Sequence, residues 1–447
     1  MRPAAETSET VTRSAYRKIG LRLLPFLLVC QVMAALDRLN AGYAYLQMGP
    51  QLGFSDLVYG TGAGLFFVAY FLFEVPSNLI MERIGARKTI TRIMVCWGLV
   101  SAATMWVTTP AQFYFARFLL GFFEAGFFPG VLLYLTYWYP QSRRSLVSGY
   151  FLAAVVVAGM VAGPLSTMIM HGLDGSAGLR GWQWVFILEG LPSTLLGLVA
   201  WLHLDDRPAQ AAWLTAAEKE AVLQALHADH RASTGIEHDG LLAVLRDARV
   251  WLLCLINFSQ LVGVYTINFW LPAMIRDLGV ADLRRIGMLS ALPYLASLCA
   301  MLWYARRSDL AGERRYHYCF AVIAAALGLA LSTLFPSSLA VSMLLITLAC
   351  AMLGAAMPVF WAIPPAYLSR KGLAAGLALV TCVGQLGGVA AGSLIGWMRD
   401  VTGSSAAGII LVSALLVLAG VLTIAGMPVR LLRERRGAQQ QLSSDAG

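Results

Sequence analysis

Two arginines and two carboxylates stand in stretches that are otherwise apolar. Asp37 and Arg38 interrupt "VMAALDRLNAGYAYLQM", and Arg117 and Glu124 interrupt "FARFLLGFFEAGFFPG". A charge near the centre of a bilayer costs at least about 2.5–3.5 kcal/mol on insertion scales. Four of them unpaired would cost on the order of 10 kcal/mol, comparable to the net stability of a whole protein. They must therefore be paired, wetted by a cavity, or both. Arg117 and Glu124 are two helical turns apart, ~10.5 Å along one face, so they can line one cavity without bonding each other. Asp37 and Arg38 point about 100° apart. Two guanidiniums offer a forked clamp for an anion, most simply a carboxylate. Asp37 and Glu124, in a low-dielectric cavity, could take up and release a proton. The same charges could instead form a static lattice, Asp37 with Arg117 and Arg38 with Glu124, that only locks helices together.

The elements that must position these residues are membrane helices. Of the 447 residues 58% are hydrophobic and 13% charged, about half the charged share of a soluble protein. Apolar runs long enough to cross a bilayer recur throughout, without the two-residue alternation of a β-barrel. Twelve spans are predicted: 23–46, 57–80, 90–109, 113–139, 145–170, 183–204, 249–276, 285–305, 316–336, 338–367, 373–398 and 405–428. The fold class is an all-α polytopic membrane protein, with a tail over 1–22, a six-helix bundle over 23–204 and a linker over 205–248. A second six-helix bundle over 249–428 and a tail over 429–447 follow. Most of the 33 Lys and Arg fall in the tails and in loops on one side, which places both termini in the cytoplasm by the positive-inside bias. The seven cysteines lie inside apolar runs without CxxC spacing and read as small packing residues. Neither a metal site nor a cofactor is expected, and the dispersed basic residues exclude a nucleic-acid surface. In the linker, Thr215 followed by Glu218 predicts a capping box that starts a short helix.

The two halves are related. "ERIGARK" (82–88) aligns with "DLAGERR" (309–315), and "RRSLVSG" (143–149) with "RKGLAAG" (370–376), both at an offset of 227. A repeated six-helix unit fits transporters whose halves rock about a midplane site. The offset maps Asp37 to Val264, Arg38 to Tyr265, Arg117 to Leu344 and Glu124 to Ala351, so these charges belong to the first half alone. Glu74, nearer the linker side, is expected to pair with Arg83 and Arg87 as part of a gate. Gly85 belongs to that set, with Asp309, Gly312 and Arg314 as their counterparts in the second half. Tyr70, Tyr265, Asn268, Trp361, Thr381 and Gln385 are expected to complete a substrate site, with Tyr43 a further candidate. Pro364-Pro365 breaks a helix beside Trp361.

"LDRLNAGYA", "FFEVPSNLIMERIGARKTITR", "RFLLGFFEAGFFPG", "YWYPQSRR", "LRGWQWVFILEGLP", "LDDRPAQAAWLTAAE" and "RRSDLAGERRYH" resemble the anion:cation symporter family of the major facilitator superfamily, in order and over nearly the whole chain. The resemblance implies a twelve-helix symporter of organic anions such as tartrate, phthalate, hydroxyphenylacetate or sugar acids, usually with protons. It assigns Asp37 and Glu124 to proton coupling and Arg38 and Arg117 to the substrate carboxylate. Tyr70 and Trp361 match residues of the family's sugar-acid site. Thr381 and Gln385 stand where the sugar-acid branch commonly has asparagines, and "DRLNAGYAYLQM" looks closer to the tartrate, phthalate and hydroxyphenylacetate branch. The expectation is a monomeric secondary transporter of the cytoplasmic membrane whose partners are a small organic anion, a proton and the bilayer. An exporter of aromatic or drug-like compounds is the rival transporter reading. A non-transporting sensor is the rival of another class, and no enzyme motif is found.

Overall fold

A computed structural model describes residues 2–233, 241–368 and 373–427. In order, the helices are α1 (Arg2–Leu52), α2 (Asp56–Ile84), α3 (Ala86–Ala103), α4 (Pro110–Glu124), α5 (Phe127–Thr136), α6 (Gln141–Leu173), α7 (Gly181–His203) and α8 (Ala216–Ser233). They continue with α9 (Leu241–Arg246), α10 (Ala248–Asp277), α11 (Leu283–Ala311), α12 (Arg315–Ser332), α13 (Leu339–Trp361), α14 (Pro364–Tyr367), α15 (Leu373–Thr402) and α16 (Ala406–Gly426). Local chemistry sets many of the ends. Ser55 caps α2 by accepting from the Val58 N–H, and Thr109 with Gln112 forms the capping box that opens α4. Gly85, at φ +94°, stops α2.

Among the described residues, eleven helices are long and apolar enough to cross a membrane. The predicted span 90–109 is also a helix, α3, but its opening turns carry Arg87, Lys88 and Arg92, which lowers its hydropathy. Two other boundaries differ from expectation. Helix α1 continues through the predicted tail, from Arg2. The predicted span 113–139 is two helices, because Gly126 adopts φ +87° two residues after Glu124. A Cβ there would stand 2.6 Å from the Cβ of Ser77, so both the turn and the close approach of α2 require glycine.

The repeat is visible in the coordinates. Shifting the bounds of α2 by 227 gives the bounds of α11, and Gly85 and its counterpart Gly312 (φ +61°) each end their helix with positive φ. The halves meet where α2 packs against α15 and α6 against α11. At the first contact Gly60 and Gly392 bring backbone against backbone, and at the second Gly287 meets Gly163 and Thr167. Gly60 and Gly287 are themselves related by the 227 shift, so the two contacts are a symmetric pair. The linker docks on the first half. Thr215 and Glu218 form the expected capping box (Glu218 N–H to Thr215 Oγ1, 3.3 Å; Thr215 N–H to Glu218 Oε2, 3.0 Å). Glu218 also takes hydrogen bonds from Ser14 and Lys18 of α1 (2.8 and 2.9 Å). The Lys18 bond, foremost, holds its carboxyl down at about 2.

Candidate functional site

Arg38 and Glu124 form the ion pair at the centre of the site. Arg38 Nε donates to Glu124 Oε1 at 2.5 Å, and the guanidinium lies over the Tyr70 ring (5.1 Å) and the Phe66 ring (5.5 Å). Glu124 is fully enclosed, whereas the Arg38 side chain keeps 21% of its surface open. Across from Tyr70 stands the second half. Tyr265, the counterpart of Arg38, packs on Phe67 (4.4 Å between rings) and Phe269, and its hydroxyl donates to Gln385 Oε1 at 2.6 Å. Arg117 is 2% exposed, lies over the other flank of Phe66 (5.2 Å), and has Nε and Nη1 without hydrogen-bond partners among the described residues. Glu124 Oε2 is likewise unpartnered. A buried guanidinium with two idle donors beside an ion pair suits an incoming anionic oxygen, because burial without a partner is costly.

Asp37 faces the other way. It is buried within the first half, accepting from Trp97 Nε1 (2.7 Å), Ser101 Oγ (2.7 Å) and Ser193 Oγ (2.9 Å), with Asn40 Nδ2 at 3.4 Å. The Asp37–Arg117 pairing of the static-lattice alternative does not form, since neutral donors from α3 and α7 occupy the carboxylate. The other half of that lattice, Arg38 with Glu124, is present. A residue that sequence reasoning missed lies beside it: Glu189 of α7, 1% exposed, with Ser166 Oγ donating to Oε1 at 2.7 Å. Its signal was available, a glutamate inside the apolar "WVFILEGLP" that is as costly there as Glu124.

The remaining expectations divide. Glu74 is not paired with Arg83 or Arg87. It is buried on the inter-half face of α2, 3.9 Å from Cys382 Sγ, because the α-helical period turns position 74 toward α15 and position 83 away from it, while Arg87 belongs to α3 beyond the break at Gly85. Arg87 stacks over Trp201 (4.8 Å) while its backbone N–H donates to Asp206 Oδ1 (2.8 Å), and Arg83 is exposed. Asn268 Oδ1 accepts from Tyr294, and Thr381 bonds back to the Leu377 carbonyl. Trp361 packs edge-on against Phe360 within the cluster of the second half. Tyr43 is buried between α6 and α7. Gly312 and Arg314 sit at the turn between α11 and α12, and the side chain of Asp309 lies outside the described residues. At the end of the bundle away from the linker, a second charged cluster was not anticipated. Arg399 of α15, 8% exposed, binds Asp56 of α2 (3.0 Å) and Asp277 of α10 (2.5 Å), and Tyr45 donates to Asp56 at 2.8 Å. Arg399 thereby ties the two halves together. A cavity of about 390 Å³ opens beside Arg399 in the second half, apart from the four charges.

Membrane-length helices in two related halves, with buried charges near their meeting face, define a membrane transporter. A family model described as the Major Facilitator Superfamily matches residues 27–283, and the chain belongs to that superfamily. It is 44% identical over 424 residues to a candidate metabolite transport protein, NicT, of Pseudomonas putida, covering 94% of this chain and 96% of that one. It is 42% identical over 412 residues to a candidate tartrate transporter of Agrobacterium vitis (91% and 93% covered). It is 38% identical over 411 residues to a quinolone resistance transporter of Acinetobacter baumannii (92% and 94%). Among solved structures, a bacterial homologue of the human lysosomal transporter Spinster, inward-facing and unoccupied, has the same fold. Its TM-score is 0.73 at 16% identity, with 90% of this chain and 95% of that one covered.

Proposed function

We propose that this protein carries an organic carboxylate across the membrane together with protons, by alternating access of its two halves. The observation that supports the reading most is Arg117, a buried guanidinium with two unpartnered donors next to the Arg38–Glu124 pair. In this reading the anion's carboxylate engages Arg117 and the exposed flank of Arg38, and aromatic rings of both halves hold its body. Competition between the anion and Glu124 for Arg38 couples substrate to proton: a protonated Glu124 releases Arg38, and an ionised one recaptures it. The tartrate and metabolite transport relatives favour a small carboxylate, and both termini are placed in the cytoplasm on the basic-residue asymmetry.

The test is uptake driven by a pH gradient in proteoliposomes, with tartrate, phthalate, hydroxyphenylacetate, galactonate and glucarate as probes. One anion should be concentrated, and Arg117→Ala should abolish the accumulation. Efflux of aromatic cations or quinolones with no anion uptake would favour the second reading, an exporter, for which the quinolone relative and the rings of Phe66, Phe67, Tyr265 and Phe269 speak. Accumulation that follows a sodium gradient instead would replace the proton in this scheme.

A further inference from the structure

Glu189 is a buried acid that the proton-coupled scheme leaves unused. Ser166 of α6 serves its Oε1, while Oε2 is buried with no hydrogen-bond partner. No ion pair reaches it among the described residues. The groups that face it are Asp37, Asn40 and Tyr43 of α1 and Ser166 of α6. Ser193, one turn further along α7, donates to Asp37. The Asn40 amide stands against both carboxyls, and its Oδ1 is also buried without a donor.

The two acids are served unequally. Asp37 accepts from three close donors on two helices, which stabilises it as an anion. Glu189 has one hydroxyl donor, no cation, and a carboxylate neighbour. Two buried like charges that feel each other are mutually disfavoured, and one proton between them removes the conflict. Glu189 Oε2 and Asn40 Oδ1 are both buried without a partner, so a proton held by the pair adds a donor to a nest that has acceptors to spare.

We propose that Glu189 is a second proton-holding site of the transport cycle, sharing one proton with Asp37 beside Asn40, whose amide keeps both its hydrogens. Transfer breaks the Glu189 O–H as the Asp37 O–H forms, so the pair keeps a single negative charge throughout. This inference deepens the proton-coupled reading and rests on it.

The closing experiment uses the full chain and reads the site in two ways. Infrared spectra taken across about pH 5 to about pH 9, in light and heavy water, should show a protonated-carboxyl band that Glu189→Gln removes and Asp37→Asn shifts in its pH midpoint. In proteoliposomes, Glu189→Gln should lose pH-driven accumulation of whichever screened anion the wild type concentrates while keeping anion exchange. Glu189→Leu, the residue type of its counterpart Leu416, controls for packing. Identical bands in wild type and Glu189→Gln, undiminished accumulation in Glu189→Gln, or loss of the band on adding sodium but not potassium would each overturn the proposal. A Glu189 band in a wild type that accumulates no anion would sink the symport reading while leaving the shared proton in place.

Discussion

The first half surrounds Asp37 with polar groups, and the second half carries none of them. At the 227 offset Asp37, Asn40, Trp97, Ser101, Glu189 and Ser193 face Val264, Ile267, Ala324, Gly328, Leu416 and Gly420. Leu416 and Val412 are fully buried in an ordinary apolar core, while Glu189 and Asp37 are equally buried in a hydrogen-bonded one. One helical scaffold therefore tolerates either interior. The polar version is costly unless every group is served, so a partner it leaves unserved points to a task other than holding helices together. The contact face repeats the contrast, with Arg38 on one side and Tyr265, bonded to Gln385, on the other.

The comparison is most exposed at that face. Arg38→Ala leaves Glu124 buried without its cation and should destabilise by about 3–5 kcal/mol. The equivalent change in the second half, Tyr265→Phe, removes one hydrogen bond and should cost about 1 kcal/mol. Thermal unfolding in detergent measures both, and equal costs would end the claim that the ionic side of this contact face lies in the first half. A symmetric device should behave oppositely. Gly60→Ala and Gly287→Ala each press a methyl group into the facing half and should cost a similar amount, about 1–3 kcal/mol. Unequal shifts in unfolding temperature would break the pairing of the two contacts.

Arg399→Ala removes the tie between Asp56 and Asp277, whose side chains are 22% and 38% exposed and so partly screened. The cost in stability should be about 1 kcal/mol. The spin-label distance between positions 57 and 397 should lengthen as that end opens. The smallest effect is expected in the linker. Glu218 titrates near 2 in the folded chain, against about 4.3 unfolded. Its depressed value means that the stabilisation is fully present above the unfolded value and lost as pH falls through about 2. Glu218→Gln should flatten the pH dependence of Trp213 fluorescence in that window, where Trp213 stacks on Trp138 (5.6 Å), at a cost below about 1 kcal/mol.

What could be read from the chain followed how local each signal is. The Thr215–Glu218 capping box needs four residues and is present as expected. The 227 offset came from two loop motifs and carries over to whole helices. The Arg38–Glu124 pair was anticipated as one of two partnerships because buried charges need partners. The close partners of Asp37 come from α3 and α7, sixty or more residues away, and no local pattern announces them. Arg399 lies so near a predicted loop that it reads as a solvated charge, and only the approach of α2 and α10 makes it a tie. The turn at Gly126 is hidden because "GFFEAGFFPG" stays apolar across the break.

The symmetric glycine contacts have a kinetic consequence. In the proposed alternating-access cycle, backbone meets backbone at Gly60–Gly392 and Gly287–Gly163, so few rotamers besides that of Thr167 need resetting when one half turns against the other. The pivot then behaves as a low-friction bearing, and the temperature dependence of turnover should report the stripping of water from Arg38 and Arg117 instead of the motion itself.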